Sequence, residues 1–322
     1  VSAPLPPLAL ALQGGGAHGA FTWGVLDRLL DEPDFTVEAV SATSSGALNA
    51  LALAQGWMDG GREGARTCLR ALWESTANRT SLTRWAFQVA PGGRDTWLGL
   101  GRYLTPEQFN PLGFNPIRDI AEQLFDFERL RREAPFAIYV AATRVRDGAL
   151  ELFGQERLSV EAALASTCLP QLFAPVEIDG EHYWDGGWAG NPALEPLVYR
   201  HASNDILCVL VQPLSRARLP VTPAEIATRV AELSFSTTFL RELEALRRAR
   251  EALAGAYPLT WLGHRFKTLR THLIEPGDSL DGYHLESRIN TRLAFLEELR
   301  EQGRRCAEDW LTSGRDHPAA IG

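Results

Sequence analysis

Residues 8–54 pass twice from an apolar run to a helical pattern, and each passage goes through small residues. Leu8 to Leu12 reads as a buried strand, Gln13-Gly14-Gly15-Gly16-Ala17-His18-Gly19 as a loop, and Phe21 to Leu30 as an amphipathic helix. Val37 to Val40 is a second apolar strand, followed by Ala42-Thr43-Ser44-Ser45-Gly46 and the helix-forming run Ala47 to Ala54. The order strand, glycine loop, helix, strand, serine turn, helix belongs to an α/β domain.

Each turn carries a chemical suggestion. A serine held among small residues where a strand enters a helix has an exposed hydroxyl and a strained backbone, the geometry of a nucleophile elbow. Framed on Gly46, the pattern Gly-x-Ser-x-Gly puts the nucleophile at Ser44, with Ala42 where glycine is usual. A Ser/Thr/Gly cluster after a strand also serves as an ordinary turn or helix cap. The consecutive glycines Gly14, Gly15 and Gly16 let backbone N–H groups converge, and a helix N-terminus behind them adds partial positive charge. Such an anion site stabilises the tetrahedral oxyanion of acyl transfer. The loop fits a second chemistry too: Gly14, Gly16 and Gly19 match the dinucleotide fingerprint, with Glu38 near the position of a ribose-binding acid.

A third cluster is Glu177-Ile178-Asp179-Gly180-Glu181-His182-Tyr183-Trp184-Asp185-Gly186-Gly187. Asp179-Gly180 marks a turn between two short strands, and the second delivers Asp185 into another glycine-rich loop. Alone, this also reads as a surface hairpin.

Together the three clusters resemble the patatin-like phospholipase family of serine acyl hydrolases, which use a Ser-Asp dyad. Gly14-Gly15-Gly16-Ala17-His18-Gly19 lies where that family carries its oxyanion loop, Ala42 to Gly46 its elbow, and Asp185-Gly186-Gly187 its dyad aspartate. Ala165-Ser166, Pro170, Phe173, Pro175-Val176, Gly180, Tyr183 and Asn191-Pro192 fall in the familial spacing as well. The resemblance implies a three-layer α/β/α sandwich with a mostly parallel central sheet. It also implies a lipid acyl hydrolase with catalytic Ser44 and Asp185, an oxyanion hole of Gly14, Gly15 and Gly16, and support from Ala17, His18, Gly19, Gly46, Gly186 and Gly187. No cofactor is implied. In this scheme Asp185 takes the Ser44 proton directly, and a pocket walled by Tyr183, Trp184 and Trp188 raises its pKa by desolvation.

Two positions depart from the family. His18 stands where arginine or lysine is usual, so a fixed charge becomes one that titrates near neutrality, and activity is expected to fall as pH rises. Ala42 adds a methyl where strand and helix cross closely. These departures leave open a lipid-binding or scaffolding protein with a disused elbow, and the same acyl-enzyme also permits acyl transfer to an acceptor other than water.

A Ser-His-Asp triad is the competing arrangement, but none of the seven histidines sits in a catalytic frame. His264, His272 and His284 follow the acid in the chain and read as surface-loop residues. Metal-ligand spacing is missing, so no catalytic metal is expected. Cys68, Cys168, Cys208 and Cys306 are scattered and read as buried free thiols. A net charge of −8 argues against nucleic acid, and no run approaches the length of a membrane span. With no signal-peptide pattern, the expected location is cytoplasmic, with peripheral membrane contact through the mixed-charge run Arg241 to Arg250 as one option against a solvated helix face. The expected ligand is a lipid or other acyl ester, and oligomeric state is not encoded.

The remaining expectations are helices over Gly61 to Ala77, Asn115 to Phe125 and Ser159 to Thr167, a hairpin joining Phe136 to Arg144 with Leu150 to Phe153, and a strand at Ile206 to Val211. One domain spans 1–322, with 214–322 mainly helical and ending in the amphipathic stretch Arg288 to Leu311. Residues 78–114, aromatic and poor in charge, are expected as a lid or acyl-chain wall, or as an excursion packed on the body.

Overall fold

Leu8, Leu10 and Leu12 of β1 (Leu8–Leu12) join one hydrophobic cluster while Ala9 and Ala11 join another, and this alternation divides the core in two. The computed structural model that shows this describes residues 5–89, 105, 108, 113–170, 172–216, 218–253, 259–277 and 285–314. The leucine side packs on α1 (Gly19–Leu29) and on the first half of α2 (Ser45–Val89), which is kinked at Gly60 and Gly61. Beyond β2 (Val37–Thr43), which enters α2 directly, come α3 (Pro116–Leu124), α4 (Phe127–Glu133), β3 (Ala137–Arg144), β4 (Leu150–Phe153) and α5 (Val160–Ser166). The hairpin β5 (Val176–Ile178) and β6 (Glu181–Asp185) precedes α6 (Glu195–Arg200) and β7 (Asp205–Val209). Last come α7 (Pro223–Ala252), α8 (Trp261–Thr268), β8 (Arg270–Ile274) and α9 (Leu293–Asp309). The alanine side of β1 packs on Leu197 and Val198 of α6 and on Phe239 and Leu243 of α7, which completes three layers.

The sheet runs β5-β6-β3-β2-β1-β7-β8, with β4 also on β3. β3, β2, β1, β7 and β8 are mutually parallel; β4, β5 and β6 enter as antiparallel partners. The register on β3 decides where the site forms. Val140 and Ala141 pair with both β2 and β4, and Ala142 and Thr143 with both β4 and β6. A strand residue has only two edges, so β2 and β6 share one edge of β3, end to end. Their C-terminal tips therefore meet, Thr43 opposite Ala141 and Asp185 opposite Ala142.

Local signals account for most of the elements. Asn115, Asp126 and Ser159 cap α3, α4 and α5 with side-chain oxygens, and Thr222 with Glu225 forms a capping box on α7. Asp27 of α1, almost wholly buried, accepts from Arg66 of α2 and from Arg300 and Arg304 of α9, so the C-terminal helix is clamped to the N-terminal unit. The segment from 214 is mainly helical where it is described, in α7, α8 and α9, and adds one strand that the sequence did not announce: β8 extends the sheet beside β7. Its short run Arg270 to Ile274 begins with a charged residue and lacks a clean alternation. Helix α2 carries the backbone to Val89, and apart from 105, 108, 113 and 114 the rest of the aromatic segment 78–114 lies outside the described residues.

All four cysteines are free thiols; Cys168 and Cys208 are buried, whereas Cys68 and Cys306 are only half-buried. In the run Arg241 to Arg250, Glu244 pairs with Arg247 and Arg248 along the exposed side of α7. Among the described residues no helix is long and apolar enough to cross a membrane.

Candidate active site

Ser44 stands between β2 and α2 with φ of 53°, a left-handed conformation that a serine adopts only under constraint. The constraint is close packing. A Cβ on Gly14 would stand 2.6 Å from Ser44 Cβ, and one on Gly46 would stand 2.4 Å from the Leu12 oxygen. Ala42, in contrast, is fully buried between Leu12 and Val140 in the sheet, and its methyl is part of the core. The Ser44 N–H donates to Ser166 Oγ at 2.9 Å, which ties the elbow to the end of α5.

The meeting of β2 with β6 brings Asp185 to this elbow. Its N–H donates to the Cys168 oxygen at 2.8 Å, its carbonyl accepts from Thr143 Oγ1 at 2.8 Å, and its Oδ1 accepts from the Gly187 N–H at 2.8 Å. The residue is 1% exposed. Burial pushes its carboxyl up to about 7, although hydrogen bonding with the Ser44 side chain and the Gly187 N–H pulls the other way. Of the three aromatics expected to wall it, Tyr183 packs edge-on against Phe153, and Trp188 lies tilted against Phe235 of α7 with ring centres 4.9 Å apart. Gly186 and Gly187 form the turn after the aspartate.

The glycine loop is wired more tightly than its sequence suggests. Gly14 gives its N–H to Asn191 Oδ1 at 2.7 Å, and Gly15 gives its N–H to Ser45 Oγ at 3.1 Å. The Gly16 N–H has no acceptor among the described residues, and Gly16 is the exposed member of the three. Gln13 fixes the loop from behind, its Oε1 accepting from the N–H groups of Val211 and Gln212 and its Nε2 donating to the Asn191 oxygen. Gly16, Ala17 and His18 form a single helical turn, and Gly19 opens α1, its oxygen accepting from Asn49 Nδ2. Gln13, Ser45 and the roles of Ser166 and Asn191 escape a motif reading. The available signal was a polar Gln13 closing an apolar strand.

His18 does not supply a titrating cation. It is 5% exposed, and burial together with the nearby Arg288 charge lowers its pKa to about 3, so the ring is neutral at physiological pH. Its Nε2 lies 2.7 Å from Ser287 Oγ. Activity is therefore not expected to fall with rising pH through this residue, and the cation beside the loop is Arg288. Glu38 likewise leaves the dinucleotide reading without its acid: it lies near the start of β2, where its carboxylate accepts from the N–H groups of Ala202 and Ser203. His264 is exposed on α8, and His284 and His317 lie outside the described residues. His272, expected on a surface loop, is buried on β8 and bonded to Asp205, at the end of the sheet away from Ser44. Among the described residues no group of three or more His, Cys, Asp or Glu is placed to hold a metal.

The model of the family described as patatin-like phospholipase matches residues 10–198, which hold Ser44, Asp185 and the glycine loop. The comparison with curated protein sequences finds no significant relative. Among solved structures, VipD from Legionella pneumophila is 14% identical with a TM-score of 0.43, over 96% of this chain and 68% of that one. The type III effector protein ExoU is 17% identical with a TM-score of 0.36, over 96% of this chain and 53% of that one, so this chain spans about half its length. On the family match over more than half of its length, the chain belongs to the patatin-like phospholipase family.

Proposed function

We propose that the protein is a lipid acyl hydrolase that cleaves carboxylic esters through an acyl-enzyme on Ser44, with Asp185 as the base. The observation that carries this reading is the buried Asp185 carboxyl set against the side chain of a serine on a strained strand-to-helix turn. The Ser44 proton passes to Asp185 as Oγ bonds to the ester carbonyl carbon. The negative charge that moves onto the carbonyl oxygen is received by the Gly16 N–H on the helical turn that leads into α1, while Asn191 and Ser45 hold the Gly14 and Gly15 N–H groups and so set the loop's shape. The tetrahedral intermediate collapses, the alcohol leaves with the proton from Asp185, and water activated by the same carboxylate releases the acid. A carboxyl with a pKa near 7 is a better proton acceptor than one near 3.8, which is why the dry site suits a two-residue mechanism.

Peptide mapping after a long-chain fluorophosphonate tests the reading on the wild type, Ser44→Ala, Ser45→Ala and Asp185→Asn. One adduct on Ser44 is expected, absent in Ser44→Ala and much slowed in Asp185→Asn. A folded wild-type protein that takes no adduct refutes it.

A further inference from the structure

Beyond residues 10–198, which the family match covers, Arg288 lies against this site. Arg288 lies on the helical turn Leu285–Ile289 just ahead of α9, the helix clamped to α1 through Asp27. Its carbonyl oxygen lies against the glycine loop, so close that a Cβ on Gly16 would stand 2.4 Å from it. Its guanidinium carbon lies 6.0 Å from the centre of the Phe235 ring. The edge of that ring lies on the turn after Asp185, where a Cβ on Gly187 would stand 2.1 Å from Phe235 Cε1. The side chain thus runs from the glycine loop toward the ring that packs on the turn after Asp185.

The neighbouring charges leave this cation unmatched. The buried carboxylate Glu232 is taken by Arg216 at 2.5 Å and by Arg229 at 3.1 Å. Among the described residues no hydrogen bond or ion pair holds the Arg288 guanidinium. Burial brings its pKa down to about 10, partly offset by Glu232, so it remains charged at neutral pH. A guanidinium partly withdrawn from bulk water with its planar fork unfilled matches the paired oxygens of a phosphate group. A role confined to packing on Phe235 would need only the aliphatic stem and ring contact, and would leave the donors idle.

We infer that Arg288 is a specificity-determining residue that seats the phosphate of a glycerophospholipid whose acyl ester lies on Ser44. The inference rests on the hydrolase reading for its substrate, but the anion seat has its own test. Initial rates are measured on 1-oleoylglycerol and 1-oleoylglycerol 3-phosphate below their micellar concentrations, for the full chain with Arg288, Arg288→Lys and Arg288→Gln. The preference of the wild type for the phosphate-bearing ester should fall about ten- to a hundredfold in Arg288→Gln, mainly through KM, with partial recovery in Arg288→Lys. Equal losses on both esters, or no change in the preference, overturn the assignment. Calorimetry with glycerol 3-phosphate on the inert Ser44→Ala protein, with and without Arg288→Gln, needs no turnover. Binding lost on removing Arg288 supports the seat even if the hydrolase reading fails, and binding unaffected refutes it. If inorganic phosphate binds there as tightly while the ester preference is unchanged, the site takes free anions only and the lipid assignment falls. Circular dichroism melts check folding, and should Arg288→Gln not fold, Arg288→Lys carries the comparison through its weakened fork.

Discussion

Asp185 and Asp205 are both nearly inaccessible to water, at 1% and 3% exposure, and they have been driven in opposite directions. Around Asp185 there are a hydroxyl and a backbone N–H, neither charged, and burial dominates, pushing the carboxyl up to about 7. Burial acts on Asp205 in the same sense, but His272 Nε2 at 2.8 Å and Arg270 Nη2 at 2.6 Å outweigh it and hold the group below the ordinary carboxylate range. The first aspartate closes a strand at the end of the sheet that carries Ser44; the second opens β7 at the other end. Burial alone therefore does not make a base. A carboxyl rises on burial where the compensating charge is withheld, as it is at Asp185 beside Ser44.

The largest effect that would test this contrast is on rate. Asp185→Asn should lower kcat about 10⁴-fold or more in a fatty-acid release assay, without lowering the melting temperature above pH 7, because it removes a carboxylate that the folded state holds at a cost. Asp205→Asn should do the reverse, leaving kcat within a fewfold while costing about 2–3 kcal/mol by urea titration; Arg270 is half exposed, which keeps the loss toward the low end for a broken buried pair.

The pH dependence separates the two groups by sign. Between about pH 4 and 7 the folded chain keeps the Asp185 proton that the unfolded chain has lost, so this group's contribution to stability is full below pH 4 and disappears as pH rises through 7. The Asp205 contribution is present above the usual carboxylate pKa and is lost as pH falls through its lower folded value. Accordingly kcat/KM should rise about tenfold per pH unit below 7 and level off above it. A falling limb near 6.5 would restore the titrating histidine. The smallest expected change is His18→Gln, which should alter the rate by less than about tenfold and keep the single rising limb, since the residue it replaces is neutral over that range.

Much of this site was legible because it is local. The elbow at Ser44, the glycine loop and the hairpin that delivers Asp185 are each written within a dozen residues or so, and the helix caps at Asn115 and Ser159 set boundaries close to those expected. What escaped depends on distant partners. Whether His18 carries charge is decided by burial and by a cation 270 positions further on. Gly14 and Gly15 look like free donors until Asn191 and Ser45 are seen to occupy them. His272 follows an arginine and a threonine, a polar context that hides a strand buried against β7 and a bond to Asp205. Side-chain hydrogen bonds to backbone across such separations leave no period and no spacing in a sequence.

The pairing of β1 with β7 has a consequence for what counts as the smallest heritable unit of this activity. The family-matched stretch stops at Val198, yet every residue from Leu8 to Leu12 is in register with Asp205 to Val209, and Gln13 takes its partners from Val209, Val211 and Gln212. A chain cut at that boundary would keep every motif and lose the strand beside its first glycine, leaving β1 as a bare apolar edge open to other chains. The residues that announce the chemistry and the residues that keep it in one piece are thus different stretches of the gene product. Recombination that moved the first without the second would carry the signature and not the enzyme.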